Sequence, residues 1–143
     1  VVPSVEVVIA GGVVRPSDGG IVGEAAVDFI RQFKVDYAVI GASAIDMDGS
    51  LLDYDYREVR VTRAIMENAR HVILAADASK FDRSAPVRIG HMTKVNPFVT
   101  DHAPASIRDI CGDNELRLVE TGRFEDEAST NPDAADQTLK NFA

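Results

Sequence analysis

The chain has 143 residues, 45% of them apolar, and 23 Asp and Glu oppose 15 Lys and Arg, giving a formal net charge of -8. A chain of this length can bury one sizeable core, so a single domain is expected. The negative charge repels nucleic-acid phosphates, so any DNA contact must come from elsewhere in the protein. The single cysteine, Cys111, excludes an intramolecular disulfide and is expected to be a small core residue.

The sequence contains no run of about 20 apolar residues and no secretory leader, which predicts a soluble, cytoplasmic protein without membrane contact. The chain begins at Val1 without an initiator Met and runs almost at once into a strand-like segment, so we expect a fragment. The three histidines, His71, His91 and His102, lack the mutual spacing of metal ligands, so no metal site is expected. No motif indicates a cofactor.

The first part of the chain predicts a strand, a loop and a helix. Residues 5–10 are rich in β-branched side chains and end at Gly11-Gly12, as a buried strand entering a tight loop would. Residues 15–20 form the loop. Between Glu24 and Lys34 the apolar residues recur at helical spacing, with an acidic residue at the start and a basic one at the end. This pattern predicts an amphipathic helix.

Strands and helices then alternate along the chain. The predicted elements are strands at 37–42, 71–76, 96–100 and 116–120, helices at 57–70 and 104–110, and an acidic turn at 46–49. Apolar strands alternating with helices indicate an α/β domain with a mainly parallel sheet flanked by helices, in which the strands are covered on both faces. The polar composition that follows predicts a domain over residues 1–121 and a disordered tail over 122–143.

Three of the predicted strands end in small or polar residues, at Gly11-Gly12, at 41–43 and at 76–80. The carboxyl ends of parallel strands meet at one edge of a sheet, which is where ligands bind in such folds. Glycine amides there, together with the helix start after Gly23, can cradle an oxyanion such as a phosphate. Lys80 would add a positive charge for a phosphate monoester, although a solvated loop lysine explains it equally well.

Carboxylates cluster where the second helix begins. Asp53 and Asp55 are typical of helix caps and dipole partners. Glu58 shares a helical face with Val61 and Ile65, which predicts that its carboxylate points inward. A buried carboxylate needs partners, and ligand hydroxyls or Arg60 could supply them.

The stretch from Ile9 to Phe81 resembles the carboxyl-terminal sensor domain of the DeoR family of transcriptional repressors. The motifs DGGIVGEA, DFIRQF and DGSLLDYDYREVR carry the resemblance in order, and they are most similar to the branch that regulates the use of glycerol 3-phosphate. The resemblance implies a fold like ribose-5-phosphate isomerase and a phosphorylated polyol or sugar as inducer, glycerol 3-phosphate first among them. It also implies a homo-oligomer and an amino-terminal winged helix-turn-helix, outside this chain, that binds operator DNA.

The resemblance also implies which residues bind the effector. Those that match family positions lining the effector pocket are Gly11, Gly12, Gly23, Gly41, Ser43, Glu58 and Lys80. Asp18 and Arg60 match motif positions nearby, where a supporting or a purely structural role is equally open. A Gly-Thr-Thr phosphate loop of the family would precede Val1, so an incomplete pocket is expected here. Ala78 and Asp82 replace a common His and a common Gly of the family.

Two other functions compete with a sensor. A sugar-phosphate isomerase needs a carboxylate base and a cation that stabilises the enediolate. Glu58 is present, but Gly41-Ala42-Ser43-Ala44 stands in place of a GADE-like strand end, and residues 50–54 replace a Lys-Gly-Gly-Gly loop. This pattern is typical of a site that kept binding and lost catalysis, so a non-catalytic sensor is favoured. The other alternative is a module that only mediates oligomerisation.

Overall fold

The computed structural model describes residues 3–122, so the predicted tail lies outside the described residues except for Gly122. The strands are β1 (Val13–Val14), β2 (Ile21–Val22), β3 (Val35–Ile40), β4 (Ala44–Ile45), β5 (Ser50–Asp53), β6 (Ala69–Ala75), β7 (Val87–His91), β8 (Phe98–Thr100) and β9 (Leu118–Glu120). The α-helices are α1 (Glu24–Ile30), α2 (Tyr56–Glu67) and α3 (Ala105–Asp113), and two 3-10 helices cover Ala78–Asp82 and Met92–Lys94.

A four-stranded parallel sheet with the order β3-β6-β8-β9 organises the domain. In the register of β3 and β6, Val39 pairs with Ile73 and Ile40 with Leu74, so the two strands end side by side. Helix α2 lies on the connection from β3 to β6 and helix α3 on the connection from β8 to β9, as parallel pairing requires of its crossovers. The prediction of an α/β domain with a parallel sheet is confirmed.

A second, antiparallel sheet with the order β4-β5-β7 was not predicted as strands. The predicted acidic turn at 46–49 joins β4 to β5, and the Gly49 amide donates to the Asp46 carbonyl at 2.9 Å. Gly49 has a φ of 90°, and a Cβ there would lie 2.7 Å from the His91 ring, so only glycine fits this turn. The turn pairs β4 with β5, and the bond from the Met92 amide to the Gly49 carbonyl holds it beside the end of β7.

One core cluster joins residues of both sheets and two helices. Among its most buried side chains are Ile45, Leu51, Leu74, Met92, Phe98 and Ile107. Cys111 on α3 belongs to this cluster at 2% exposure, which confirms its predicted core position, and burial raises the pKa of its thiol. Within residues 3–122 no helix is long and apolar enough to cross a membrane.

The helices begin and end where local chemistry dictates. Asp55 caps α2, because its side chain accepts a hydrogen bond from the Arg57 amide at 2.8 Å. At the other end of α2, the Asn68 side chain donates to the Ala64 carbonyl at 2.7 Å. Helix α1 ends at Ile30 rather than at the predicted Lys34, since tight turns follow it and Phe33 lies exposed.

The prediction of a buried strand at residues 5–10 is wrong. This segment has no strand assignment, and its apolar side chains are exposed, Ile9 at 77%. A strand forms only where a neighbour completes its backbone hydrogen bonds, and residues 3–122 supply none for this segment. The high apolar content of residues 5–10 predicted a buried strand, but residues 3–122 do not bury this segment.

The prediction that the sheet is covered on both faces is also wrong for residues 3–122. Val39 is 68% exposed to solvent. The Tyr37 ring, on the same face of β3, is also exposed and stacks on His71, with ring centroids 5.3 Å apart. Helix α2 and the antiparallel sheet pack on the opposite face, where Ile40 and Leu74 are buried. The order of elements alone did not reveal this asymmetry.

The core packing of α3 leads to a stability prediction. Ile107→Ala should lower the free energy of unfolding by about 2 to 5 kcal/mol, because it leaves a cavity in the core cluster to which Ile107 belongs. Asp109→Ala, at an exposed position of the same helix, should change it by less than about 0.5 kcal/mol. Urea unfolding of both variants measures the difference, and equal effects would contradict the assigned core.

Candidate functional site

A cavity of about 320 Å³ lies where the chain leaves the parallel sheet and enters the antiparallel one. Its lining comes from the end of β3 and the residues after it, the last residue of β5 and one side of α2: Val39, Ile40, Gly41, Ala42, Ser43, Asp53, Glu58, Thr62 and Ile65. The cavity therefore sits at the carboxyl end of a parallel strand. This is the position at which ligands bind in open α/β sheets.

Asp53 and Ser43 connect the two sheets inside this cavity. The Ser43 hydroxyl donates to Oδ1 of Asp53 at 3.0 Å, and the Tyr54 amide donates to the same oxygen at 2.7 Å. Asp53 is only 6% exposed although it is the last residue of β5. A hydrogen-bonded carboxylate at this depth is fixed in orientation, so it forms a rigid wall of the cavity.

Glu58 contributes a second carboxylate to the lining of this cavity, from the first turn of α2. Burial, followed by the nearby charge of Asp53, raises the pKa of Glu58, and the guanidinium of Arg15 opposes this shift. Arg15 Nη1 lies 2.8 Å from Oε2 of Glu58 and 3.3 Å from Oδ2 of Asp55. One guanidinium thus offsets part of the negative charge of Glu58, which lines the cavity, and of Asp55, which caps α2.

Arg15 reaches α2 from the hairpin formed by β1 and β2. Its backbone closes the hairpin loop through bonds with Gly19 and Gly20, and its side chain pairs with Asp18. The Asp18 carboxylate also accepts from the Gly20 amide at 2.9 Å, so Asp18 serves the loop and not the cavity. The side chain of Arg15 is only 16% exposed, which makes it the tie between hairpin and helix.

The structure brings together three of the residues that the sequence assigned to the pocket, Gly41, Ser43 and Glu58. Gly12 packs against β2 instead, where a Cβ would lie 2.8 Å from the Val22 carbonyl oxygen. Gly11 is exposed with open space around it. Gly23 borders a small cleft of about 30 Å³ between α1 and α2.

Lys80 lies in the 3-10 helix after β6 and does not line the cavity. Side chains already occupy two amides of this strand end: Asp101 accepts from the Ala78 amide at 2.7 Å, and Asp77 accepts from the Ser79 amide at 2.8 Å. The 3-10 helix packs against β4, which directly follows the cavity residues 41–43. Lys80 therefore lies on an element adjoining the site.

The sequence offered two possible partners for Glu58, ligand hydroxyls or Arg60, and the structure gives the second of these roles to a different arginine. Arg60 pairs with Glu24 of α1, and Arg15 is the cation that meets Glu58. Sequence reasoning also missed Asp53 and Thr62, which line the cavity. Thr62 lies four residues after Glu58 on α2, so helical spacing could have placed it on the same face. Asp53 carried no such signal.

Another cavity, of about 390 Å³, lies between α2 and β7 and is lined by Arg63, Met66, Glu67, Val72, Ile89, Gly90 and Lys94. The guanidinium of Arg63 is engaged by the carbonyl oxygens of Arg88 and Ile89, at 2.7 and 3.0 Å. The cation is thus used to hold β7 against α2. In residues 3–122, no group of three or more His, Cys, Asp or Glu side chains could hold a metal.

The chemistry of the first cavity favours binding. Its lining offers two carboxylates, two hydroxyls and the backbone after β3, with Arg15 behind Glu58. Isomerisation of a sugar phosphate would also need a cation at the reacting carbonyl. No lysine is among the described residues that line this cavity.

These features are those of an α/β domain with a cavity at the end of a parallel strand. The model of the DeoR C-terminal sensor domain family matches residues 2–102, and the chain belongs to this family.

Similar proteins point in the same direction. The chain is 49% identical over 113 residues to the glycerol-3-phosphate regulon repressor of Escherichia coli, covering 78% of this chain and 45% of that protein. It is 50% identical over 116 residues to the repressor of the same name from Haemophilus influenzae, with 81% and 45% covered. The HTH-type transcriptional repressor CsqR of Escherichia coli is 35% identical over 118 residues, with 82% and 45% covered. The chain thus spans less than half the length of these relatives.

The Arg15 cluster leads to a pH prediction. The bond with Arg15 is the main cause that lowers the pKa of Asp18, and Arg57 followed by Arg15 lowers the pKa of Asp55. Carboxyls with a lowered pKa stabilise the fold above the ordinary carboxyl pKa of about 4, and this stability is lost as the pH falls below it. Arg15→Met should therefore lower the urea midpoint at pH 7, and its difference from wild type should shrink below about pH 4.

Arg57→Met is the matched control, because Arg57 is half exposed and pairs only with Asp55 among these carboxylates. It should lower the midpoint less than Arg15→Met. A difference that stays constant from pH 7 to pH 3 would rule out the ionic origin of the effect.

Proposed function

We propose that this chain is the effector-binding part of a DNA-binding transcriptional repressor, and that its effector is a phosphorylated polyol, with glycerol 3-phosphate foremost. The observation that supports this most is the cavity at the end of β3, where Gly41, Ser43 and Glu58 meet. The resemblance found in the sequence implies that these residues line the effector pocket, and the chain belongs to the family that carries the resemblance. The names of two relatives about half identical to this chain indicate a glycerol-3-phosphate regulon.

The charges in the cavity favour one orientation of the ligand. Asp53 and Glu58 would repel a phosphate, so the phosphate would lie away from them, toward the strand-end edge at Gly41. The neighbouring 3-10 helix carries Lys80, which would approach the phosphate from that side. Gly11, Gly12 and Gly23 would contribute only if the hairpin moved toward this edge on binding, with Asp18 and Arg60 in supporting contacts.

DNA recognition would belong to a part of the protein outside this chain. With a net charge of -8, the chain itself opposes contact with the phosphate backbone. The intact protein would act in the cytoplasm as a homo-oligomer that binds operator DNA. The effector would then bind the form with low operator affinity more tightly than the form with high affinity.

Operator binding by the intact protein tests this function. Saturating glycerol 3-phosphate should weaken operator affinity about 5- to 150-fold, which corresponds to a coupling free energy of about 1 to 3 kcal/mol. Fluorescence anisotropy with labelled operator DNA measures the change, and glycerol and inorganic phosphate at equal concentrations are the controls. An operator affinity that stays the same with glycerol 3-phosphate would refute the assigned effector.

A further inference from the structure

We propose that Asp53 is the specificity-determining residue of this cavity and selects effectors that donate hydroxyl hydrogens, as a polyol does. The inference rests on the proposed function, because it concerns the same site. The carboxylates of Asp53 and Glu58 form the acidic end of the cavity, and this end would recognise the hydroxyls of the ligand. In the sequence, Asp53 had been interpreted only as a helix cap or dipole partner.

The hydrogen bonds of Asp53 leave one oxygen available. Both donors within the chain, the Ser43 hydroxyl and the Tyr54 amide, bond to Oδ1, and no donor among residues 3–122 reaches Oδ2. Every completely occluded side-chain oxygen or nitrogen of these residues has a partner. Oδ2 therefore keeps contact with the cavity that Asp53 lines, and it can accept a hydrogen bond there.

The two hydroxyls in the lining have already committed their protons. Ser43 donates its proton to Asp53, and Thr62 donates its proton to the Glu58 carbonyl at 3.1 Å. A hydroxyl has a single proton, so Ser43 and Thr62 can offer a ligand only lone pairs. Together with the carboxylates of Asp53 and Glu58, they form a wall of hydrogen-bond acceptors.

A wall of acceptors selects ligands by chemistry. Ligand hydroxyls can donate to it, whereas a phosphate or an alkyl chain in the same place would displace water and leave the Asp53 oxygen unpaired. Because the Asp53 carboxylate is charged, each hydroxyl bond to it is stronger than a bond to a neutral group. The acidic end of the cavity therefore binds the hydroxyls of the effector, and its phosphate binds at the Gly41 edge.

Asp53→Asn separates recognition from structure. The Asn carbonyl oxygen can replace Oδ1 and accept from both Ser43 and Tyr54, so the strand end should keep its shape. The cavity then faces an amide NH₂ in place of a charged acceptor. Asp48→Asn is the matched control, since Asp48 also accepts from a nearby amide, that of Ser50 at 2.8 Å, but lies outside the cavity.

The test uses isothermal titration calorimetry of the intact protein with two probes. One is glycerol 3-phosphate, and the other is propyl phosphate, which has the same three-carbon chain but carries no hydroxyl on it. The wild type should prefer glycerol 3-phosphate by at least about ten-fold. Asp53→Asn should reduce this preference by about ten-fold while leaving propyl phosphate binding unchanged or stronger, and Asp48→Asn should preserve the preference.

Three results would overturn the inference, and they can be told apart. If Asp53→Asn weakens both probes equally, Asp53 has only a structural role. If the wild type binds both probes equally well, the acidic end does not read hydroxyls although the phosphate site exists. If the wild type binds neither probe, the proposed polyol phosphate function fails, and the inference fails with it.

Discussion

The crossing of the chain between its two sheets at residues 41–43 is the constraint on which the site depends. Parallel pairing brings the ends of β3 and β6 to one edge of the first sheet, and β4 begins the second sheet immediately after Ser43. The bond from Ser43 to Asp53 then ties this crossing to the end of β5. A cavity opens there because only two residues separate the end of β5 from α2, which faces the crossing.

Negative charge at this crossing is balanced locally. Asp53 and Glu58 line one cavity, and Arg15 from the hairpin between β1 and β2 supplies the nearest cation. A charged group removed from water needs such a partner, which explains why a distant loop residue is held against the start of α2. The same ion pair connects the hairpin to the cavity that Glu58 lines.

The sequence predicted the parts of the fold whose signals are local. β3 and β6 each end in a run of apolar residues, and α2 has helical periodicity after a capping Asp55, so these elements were predicted to within a few residues. β4 and β5 were missed because they are short and pair with each other and β7. The Arg15 to Glu58 contact joins residues 43 positions apart, and Asp53 looks like a helix cap in the sequence. Such roles depend on the tertiary arrangement.

The most direct test of the ligand site is a crystal structure of the intact protein with glycerol 3-phosphate. We expect the ligand between Gly41 and Glu58, with its hydroxyls toward Asp53 and its phosphate toward the 3-10 helix that carries Lys80. A ligand bound instead between α2 and β7, beside Arg63 and Lys94, would contradict the account. So would a ligand in the first cavity with its phosphate against Asp53.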